Sequence, residues 1–145
     1  MSYDLQWLLL RKNNSFQVNR VPEGPVFSRE PGNLLNLNSH KYSGLANKKV
    51  LEIQGTSTGV QIRTRKTKAT SHQVGGGYAT STIKARTGPR RALGIAAGYA
   101  KRGYRPDLRR AVLARVSALV AAQKEPKPTP PKKLRGKKKA AAAKA

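Results

Sequence analysis

Cysteine is absent from this chain. That single absence removes disulfides, thiolate zinc sites, iron–sulfur clusters and cysteine nucleophiles together, and it is compatible with a reducing compartment. Acid is nearly absent as well, with 6 Asp and Glu in 145 residues. Histidine is limited to His40 and His72, and neither has a partner at metal-ligand spacing. No paired carboxylates are placed for general acid–base work. The sequence therefore predicts no enzyme, no metal site and no cofactor. No apolar run approaches the roughly 20 residues of a membrane span. The opening MSYDLQWLLLRK has a short apolar stretch after an acid, without a basic leader region or a small-residue cleavage site, so it does not read as a signal peptide. Cytoplasm or nucleus is the expected home.

What is present is base. The chain holds 30 Lys and Arg, for a formal net charge of +24. Self-repulsion on this scale destabilises a compact state, so the chain is expected to work against a polyanion. The hydrophobic fraction is 37%, which predicts a small core. Lys and Arg at this density neutralise phosphates and release counterions, so affinity should fall steeply with salt.

The expected fold class is α+β: a small N-terminal antiparallel sheet of two hairpins covered by C-terminal helices, with a basic extended tail. Residues 5–20 read as the first hairpin. Leu5 to Leu10 is an apolar run, Asn13 and Asn14 supply a turn, and Phe16 and Val18 alternate with polar neighbours. Pro22, Gly24, Pro25, Pro31 and Gly32 make 21–47 irregular, packed onto the sheet by Leu34, Leu35 and Leu37. The second hairpin spans 48–66, with a loop from Gly55 to Gly59. In its returning strand Val60, Ile62 and Thr64 point one way and Gln61, Arg63 and Arg65 the other. Those arginines are read as a basic face for nucleic acid, with an ordinary solvated strand face as the competing reading, and Lys66 and Lys68 join them as RNA-binding candidates.

Residues 66–88 read as an irregular basic loop around Gly75-Gly76-Gly77. The spacing of a nucleotide-binding loop is missing, so the glycines predict a flexible loop that lets backbone approach RNA closely. Thr80 to Lys84 reads as a short extended segment. Helices are predicted over 89–122 in two parts. Pro89 and Pro106 suit first helical positions, and Asp107 suits the positive end of the second helix. Leu108, Val112, Val116, Leu119 and Val120 form one apolar stripe at helical spacing, leaving the arginines outward. Residues 1–123 are thus expected to be one RNA-binding domain. Residues 124–145, rich in Lys, Pro and Ala, are expected to be a tail that is disordered when free.

The remaining RNA-binding candidates follow from charge. They are Arg11, Lys12 and Lys41 in the N-terminal part, and Arg86, Arg90, Arg91, Lys101, Arg102 and Arg105 around the first helix. Arg109, Arg110 and Arg115 lie on the second helix, and Lys132, Lys133, Arg135, Lys137, Lys138 and Lys139 in the tail. Arginine's planar fork suits phosphates and base stacking. Tyr42, Tyr99 and Tyr104, set among these bases, are candidates for stacking on unpaired bases, with core packing as the competing reading.

Several blocks then resemble a known family. Leu5-Gln6-Trp7 with Arg11 and Ser15-Phe16 form the first. Glu30-Pro31, Asn33-Leu34, Asn38-Ser39, Tyr42 and Gly44-Leu45 form the second. The third runs from Tyr104-Arg105-Pro106-Asp107-Leu108-Arg109 through Ala111, Arg115 and Ser117-Ala118 to Gln123-Lys124. Together they resemble the eukaryotic large-subunit ribosomal protein family numbered twenty-eight in the eukaryotic series. The resemblance implies a component of the cytosolic large ribosomal subunit, with ribosomal RNA and neighbouring ribosomal proteins as partners and nucleolar passage during assembly. It implies neither a membrane nor a small-molecule substrate. Residues 66–100 match least well. The rival reading is a chromatin or other polyanion-binding architectural protein, since KKKAAAAKA suits a linker-histone end. Against it, a winged-helix domain needs several strong helices before its wing. A membrane-surface module using the tail as an electrostatic anchor is a third reading. It lacks a lipidation signal and bulky apolar anchors beside the charges.

Overall fold

A computed structural model describes residues 2–70, 72–101, 103–125 and 128–130. In chain order they form α1 (Tyr3–Leu10), β1 (Gln17–Val18), β2 (Phe27–Ser28), β3 (Leu51–Thr56), β4 (Gly59–Arg65), β5 (Tyr78–Lys84), α2 (Pro89–Lys101), a 3-10 turn (Pro106–Leu108) and α3 (Arg109–Ala122). The architecture is α+β. β1 and β2 form a two-stranded antiparallel ribbon, and β3-β4-β5 an antiparallel meander.

The meander follows from alternation. Leu51, Ile53, Val60, Ile62 and Ile83 share one face and are buried. α3 lies across it and delivers Val112, Val116 and Val120. The stripe expected from sequence is therefore the contact that closes the core. Register is fixed because a one-residue slip would turn every one of these side chains to solvent. β3 extends to Thr56, so the β3–β4 turn is only Ser57-Thr58. Gly59 follows it at φ +143°, where a Cβ would strike the Ile83 carbonyl. Gln123 clamps this turn to the end of α3, donating from Nε2 to the carbonyls of Thr56 (3.1 Å) and Gly59 (2.9 Å).

α2 packs on α3 through Ala92, Ala96 and Ala100, spaced four apart and fully buried. Small side chains in one row let the helix axes approach closely. Ile95 of the same helix stays exposed.

The expected first hairpin over 5–20 is corrected. Residues 3–10 are α1, with Arg11 N–H donating to the Trp7 carbonyl (2.8 Å). β1 pairs not with 5–10 but with β2, through Gln17 opposite Ser28 and Val18 opposite Phe27. A six-residue apolar run does not distinguish helix from strand by periodicity. Here Asp4 at the positive pole and Arg11 and Lys12 just past the negative pole favour the helix. The triple-glycine segment is partly corrected too, because β5 begins at Tyr78 rather than Thr80. Gly75 and Gly76 stand in open space, whereas a Cβ on Gly77 would strike the Gln73 carbonyl.

Of the loop leucines only Leu34 is buried. Polar side chains hold the rest of that loop. The buried Glu30 carboxylate accepts from Asn33 Nδ2 (3.1 Å) and Ser43 Oγ (3.1 Å), and Asn33 also donates to the Leu37 carbonyl (2.7 Å). Burial raises the Glu30 pKa above its ordinary range, against these hydrogen bonds.

Candidate nucleic-acid interface

The face of the meander opposite α3 is polar. β4 places Gln61, Arg63 and Arg65 on it, and the β4–β5 register sets Thr82, Thr80 and Tyr78 beside them. Arg63 donates from Nη1 to Glu52 Oε2 (3.1 Å), and its guanidinium lies 5.0 Å from the centroid of the Tyr78 ring. Glu52 is buried and also accepts from Gln54 Nε2 (2.6 Å). Arg63 is thus pre-aligned by an acid on one side and an aromatic ring on the other. Such a flat, fixed guanidinium suits stacking or bidentate contact better than a freely rotating cation. At the strand end Lys66 Nζ donates to the Gly76 carbonyl (3.0 Å), folding the glycine turn back onto β4. Lys68 is exposed beside it.

A second group sits at helix starts. Arg86, Arg90 and Arg91 are exposed at the entry to α2, whose first turn has no acid. Arg109 and Arg110 are exposed at the start of α3. Cations here oppose the helix dipole and are unfavourable unless an anion joins them. Among the described residues only Asp4, Glu52 and Asp107 form carboxylate contacts with cationic groups. These five arginines therefore have no internal counterion there. Lys101 is exposed at the α2 C-terminus, where its charge is favourable, and Arg11, Lys12 and Lys41 are exposed in the N-terminal part.

Three sequence-selected groups turn inward. Arg105 donates from Nε and Nη2 to the Asp107 carboxylate (2.9 and 2.7 Å), from Nη1 to the Lys49 carbonyl (3.0 Å) and from Nη2 to the Lys41 carbonyl (2.8 Å). It ties two loops to α3. The same guanidinium holds the Asp107 carboxyl below its ordinary pKa. Tyr104 Oη accepts from Val50 N–H (3.1 Å) and lies within hydrogen-bond reach of the Val50 and Arg65 carbonyls. Burial raises its pKa. Arg115 is half-buried, not outward as expected, because it borders the apolar stripe beside Leu108 and Ala111. It lines a cleft with Glu30, Asn33 and Glu52, and its Nε is buried without a partner among the described residues.

Tyr42, Tyr99 and Tyr104 all pack against the core. The aromatic on the open sheet face is Tyr78, which sequence reasoning missed by starting the last strand at Thr80. It lies directly opposite Arg65 in the strand register. Arg102 and the tail bases Lys132, Lys133, Arg135, Lys137, Lys138 and Lys139 lie outside the described residues. Among the described residues no His, Asp or Glu cluster can hold a metal, and no helix is long and apolar enough to cross a membrane.

This geometry is that of a small domain with arginines fixed on a sheet face and uncompensated at helix starts. The profile of the Ribosomal L28e protein family matches residues 5–122. The large ribosomal subunit protein eL28 of Schizosaccharomyces pombe is 34% identical over 129 residues, covering 88% of this chain and 96% of that one. Its namesake in Dictyostelium discoideum is 35% identical over 147 residues, covering 100% and 98%. That of Caenorhabditis elegans is 40% identical over 68 residues, covering 47% and 54%. The chain belongs to the Ribosomal L28e protein family.

Proposed function

We propose that this chain is a structural constituent of the cytosolic large ribosomal subunit that binds and stabilises folded ribosomal RNA. The family match across almost the whole folded part carries the reading and supports a structural ribosomal role. The finer mechanism rests on the arrangement of charge. Arg63 and Arg65 face RNA from the open side of the sheet, beside Tyr78. Arg86, Arg90, Arg91, Arg109 and Arg110 take phosphates at the helix starts, where the unpaired backbone N–H groups and the dipole add to the side-chain charge. The basic tail from residue 124 threads between RNA helices, where no compact domain fits. Neighbouring ribosomal proteins are the other partners. The role is neutralisation and locking, not catalysis. The protein works in the cytoplasm on the ribosome, after nucleolar passage during assembly. The chromatin alternative has no support from the relatives.

Sedimentation of lysate through a sucrose gradient, at moderate and then high salt, tests this. Comigration with large subunits, monosomes and polysomes that survives high salt is expected. Release at high salt, or a signal confined to chromatin or light fractions, refutes it.

A further inference from the structure

The charge of this chain is unevenly distributed. Residues 1–47 hold five Lys or Arg and three Asp or Glu, a formal +2, while residues 48–145 hold twenty-five and three, a formal +22. Exposed apolar surface runs the other way. Among the described residues, ten of the twelve large exposed hydrophobic side chains lie before residue 48, and only Val74 and Ile95 lie after it. The N-terminal third is thus poor in the groups that hold phosphate and rich in those that water disfavours.

The sharpest concentration is on α1. Leu5, Leu8 and Leu9 are 48%, 58% and 59% exposed. Their spacing, i, i+3, i+4, puts them on one side of the helix. The opposite side already has its contacts. The Trp7 ring stacks on His40 with centroids 5.7 Å apart, and Tyr3 and Gln6 share a cleft with Leu45 and Ala46. The helix end is tied by Gln17 and Asn38, which donate to the Arg11 carbonyl (2.6 and 3.1 Å). α1 therefore carries apolar side chains on both sides but is covered on one side only. An eight-residue helix is too short to hold itself in water, and one with apolar side chains on both sides is normally covered on both.

We propose that the outward Leu5–Leu8–Leu9 face of α1 is the seat of a neighbouring protein of the large subunit, not of RNA. The inference rests on the ribosomal reading above. α1 has no Lys or Arg and one acid, Asp4, so it offers phosphate nothing and repels it slightly. An apolar strip needs an apolar counterpart, which a nucleic-acid backbone does not present and a protein does. The ends of the strip give the partner an orientation. Asp4 stands at one end and Arg11 and Lys12 at the other, so the matching surface carries base beside Asp4 and acid beside Arg11. The molecule then works as an adaptor. Its last two thirds hold RNA, and its first third holds protein.

The test is photo-crosslinking within assembled particles. The full chain carries a photo-crosslinking amino acid in place of Leu8, and large subunits are purified, irradiated, treated with ribonuclease and analysed by mass spectrometry. The expected result is one adduct to a second protein identified as a large-subunit component. An adduct on RNA, an adduct to another copy of this chain, or no adduct in subunits that contain it overturns the proposal. If the chain never enters large subunits, the ribosomal reading falls, and this inference falls with it. A second arm uses Leu8→Glu with Leu9→Glu, two exposed positions whose change leaves the core intact. The free variant should bind a ribosomal RNA fragment within about twofold of the parent, while its retention in subunits at high salt drops roughly tenfold, as loss of an apolar anchor implies. An equal loss of RNA affinity would assign the face to RNA and end the argument.

Discussion

If Arg90 and Arg91 hold phosphates as proposed, they put affinity and stability in opposition, and the conflict has a predictable size. Both are exposed in the first turn of α2, which contains no acid. A like-signed charge at a helix pole disfavours the helix by about 0.3–1 kcal/mol at low ionic strength. Gln has nearly the helix propensity of Arg, so Arg90→Gln with Arg91→Gln changes little except charge. The RNA-free double variant should gain about 0.6–2 kcal/mol. For a domain of this size that raises the melting temperature by about 2–8 °C. The gain should shrink above about 0.5 M salt, where screening reaches only a few ångströms. Binding should move the other way. If each arginine neutralises one phosphate, the slope of log affinity against log salt becomes shallower by about 0.9 per residue, or about two in all. The same pair of changes at Arg109 and Arg110 should stabilise less. α3 is preceded by the 3-10 turn Pro106–Leu108, which sets these two arginines further from the positive pole. The assays are calorimetric melts at two salt concentrations and a salt titration of binding to large-subunit RNA. A variant that melts at or below the parent at low salt refutes the dipole argument. An unchanged salt slope refutes the phosphate contacts.

Other consequences are as direct. Tyr104→Phe strips a half-buried hydroxyl from the backbone of Val50 and Arg65 and should lower stability by about 1–3 kcal/mol in a urea titration; a loss below about 0.5 kcal/mol would show the hydroxyl to be idle. Glu30 has a raised pKa in the folded state, so between its ordinary 4.5 and that raised value the folded chain binds more protons than the unfolded one. Its contribution is therefore full below 4.5 and is lost as pH rises through the folded value, opposite in sign to the usual acid. Glu30→Gln should flatten the stability–pH curve in that window, and a slope identical to the parent's would count against it. Gly59→Ala forces a side chain into the Ile83 carbonyl at a left-handed φ and should destabilise by about 1–3 kcal/mol, while Gly75→Ala, in open space, should leave the melting temperature unchanged.

The parts legible in the sequence are those where one face is buried and the other wet. β4 alternates because the core takes Val60 and Ile62 and the open face takes Gln61 and Arg63, and α3 repeats its stripe for the same reason. β5 was half hidden because its threonines and serine leave only Ile83 buried. α1 offers no clear period, because Leu5 and the run Trp7 to Leu10 put apolar side chains on both its sides. The site divided along a similar line. Exposed bases at helix starts follow from local sequence. The inward turns of Tyr104 and Arg105 do not, since the backbone carbonyls they bind lie 39 to 64 residues away; the one local partner, Asp107, does not by itself distinguish a base aimed at RNA from one that ties two loops. Arg115 is a different case. Seven residues after Leu108 and four before Leu119, it lies at the edge of the apolar stripe beside buried Ala111, so its half-burial follows from helical spacing that the reading of an outward arginine overlooked.

The stack of Trp7 on His40 provides an optical label. Trp7 is the only tryptophan in the chain, and it lies on the helix least anchored to the rest. Its emission therefore reports whether α1 is seated, while far-ultraviolet circular dichroism is dominated by α2 and α3. If the two signals lose their native values at different urea concentrations, α1 detaches as a separate unit before the meander opens, and a two-state analysis no longer applies. The same emission, followed during assembly, would time the seating of this helix without an added dye.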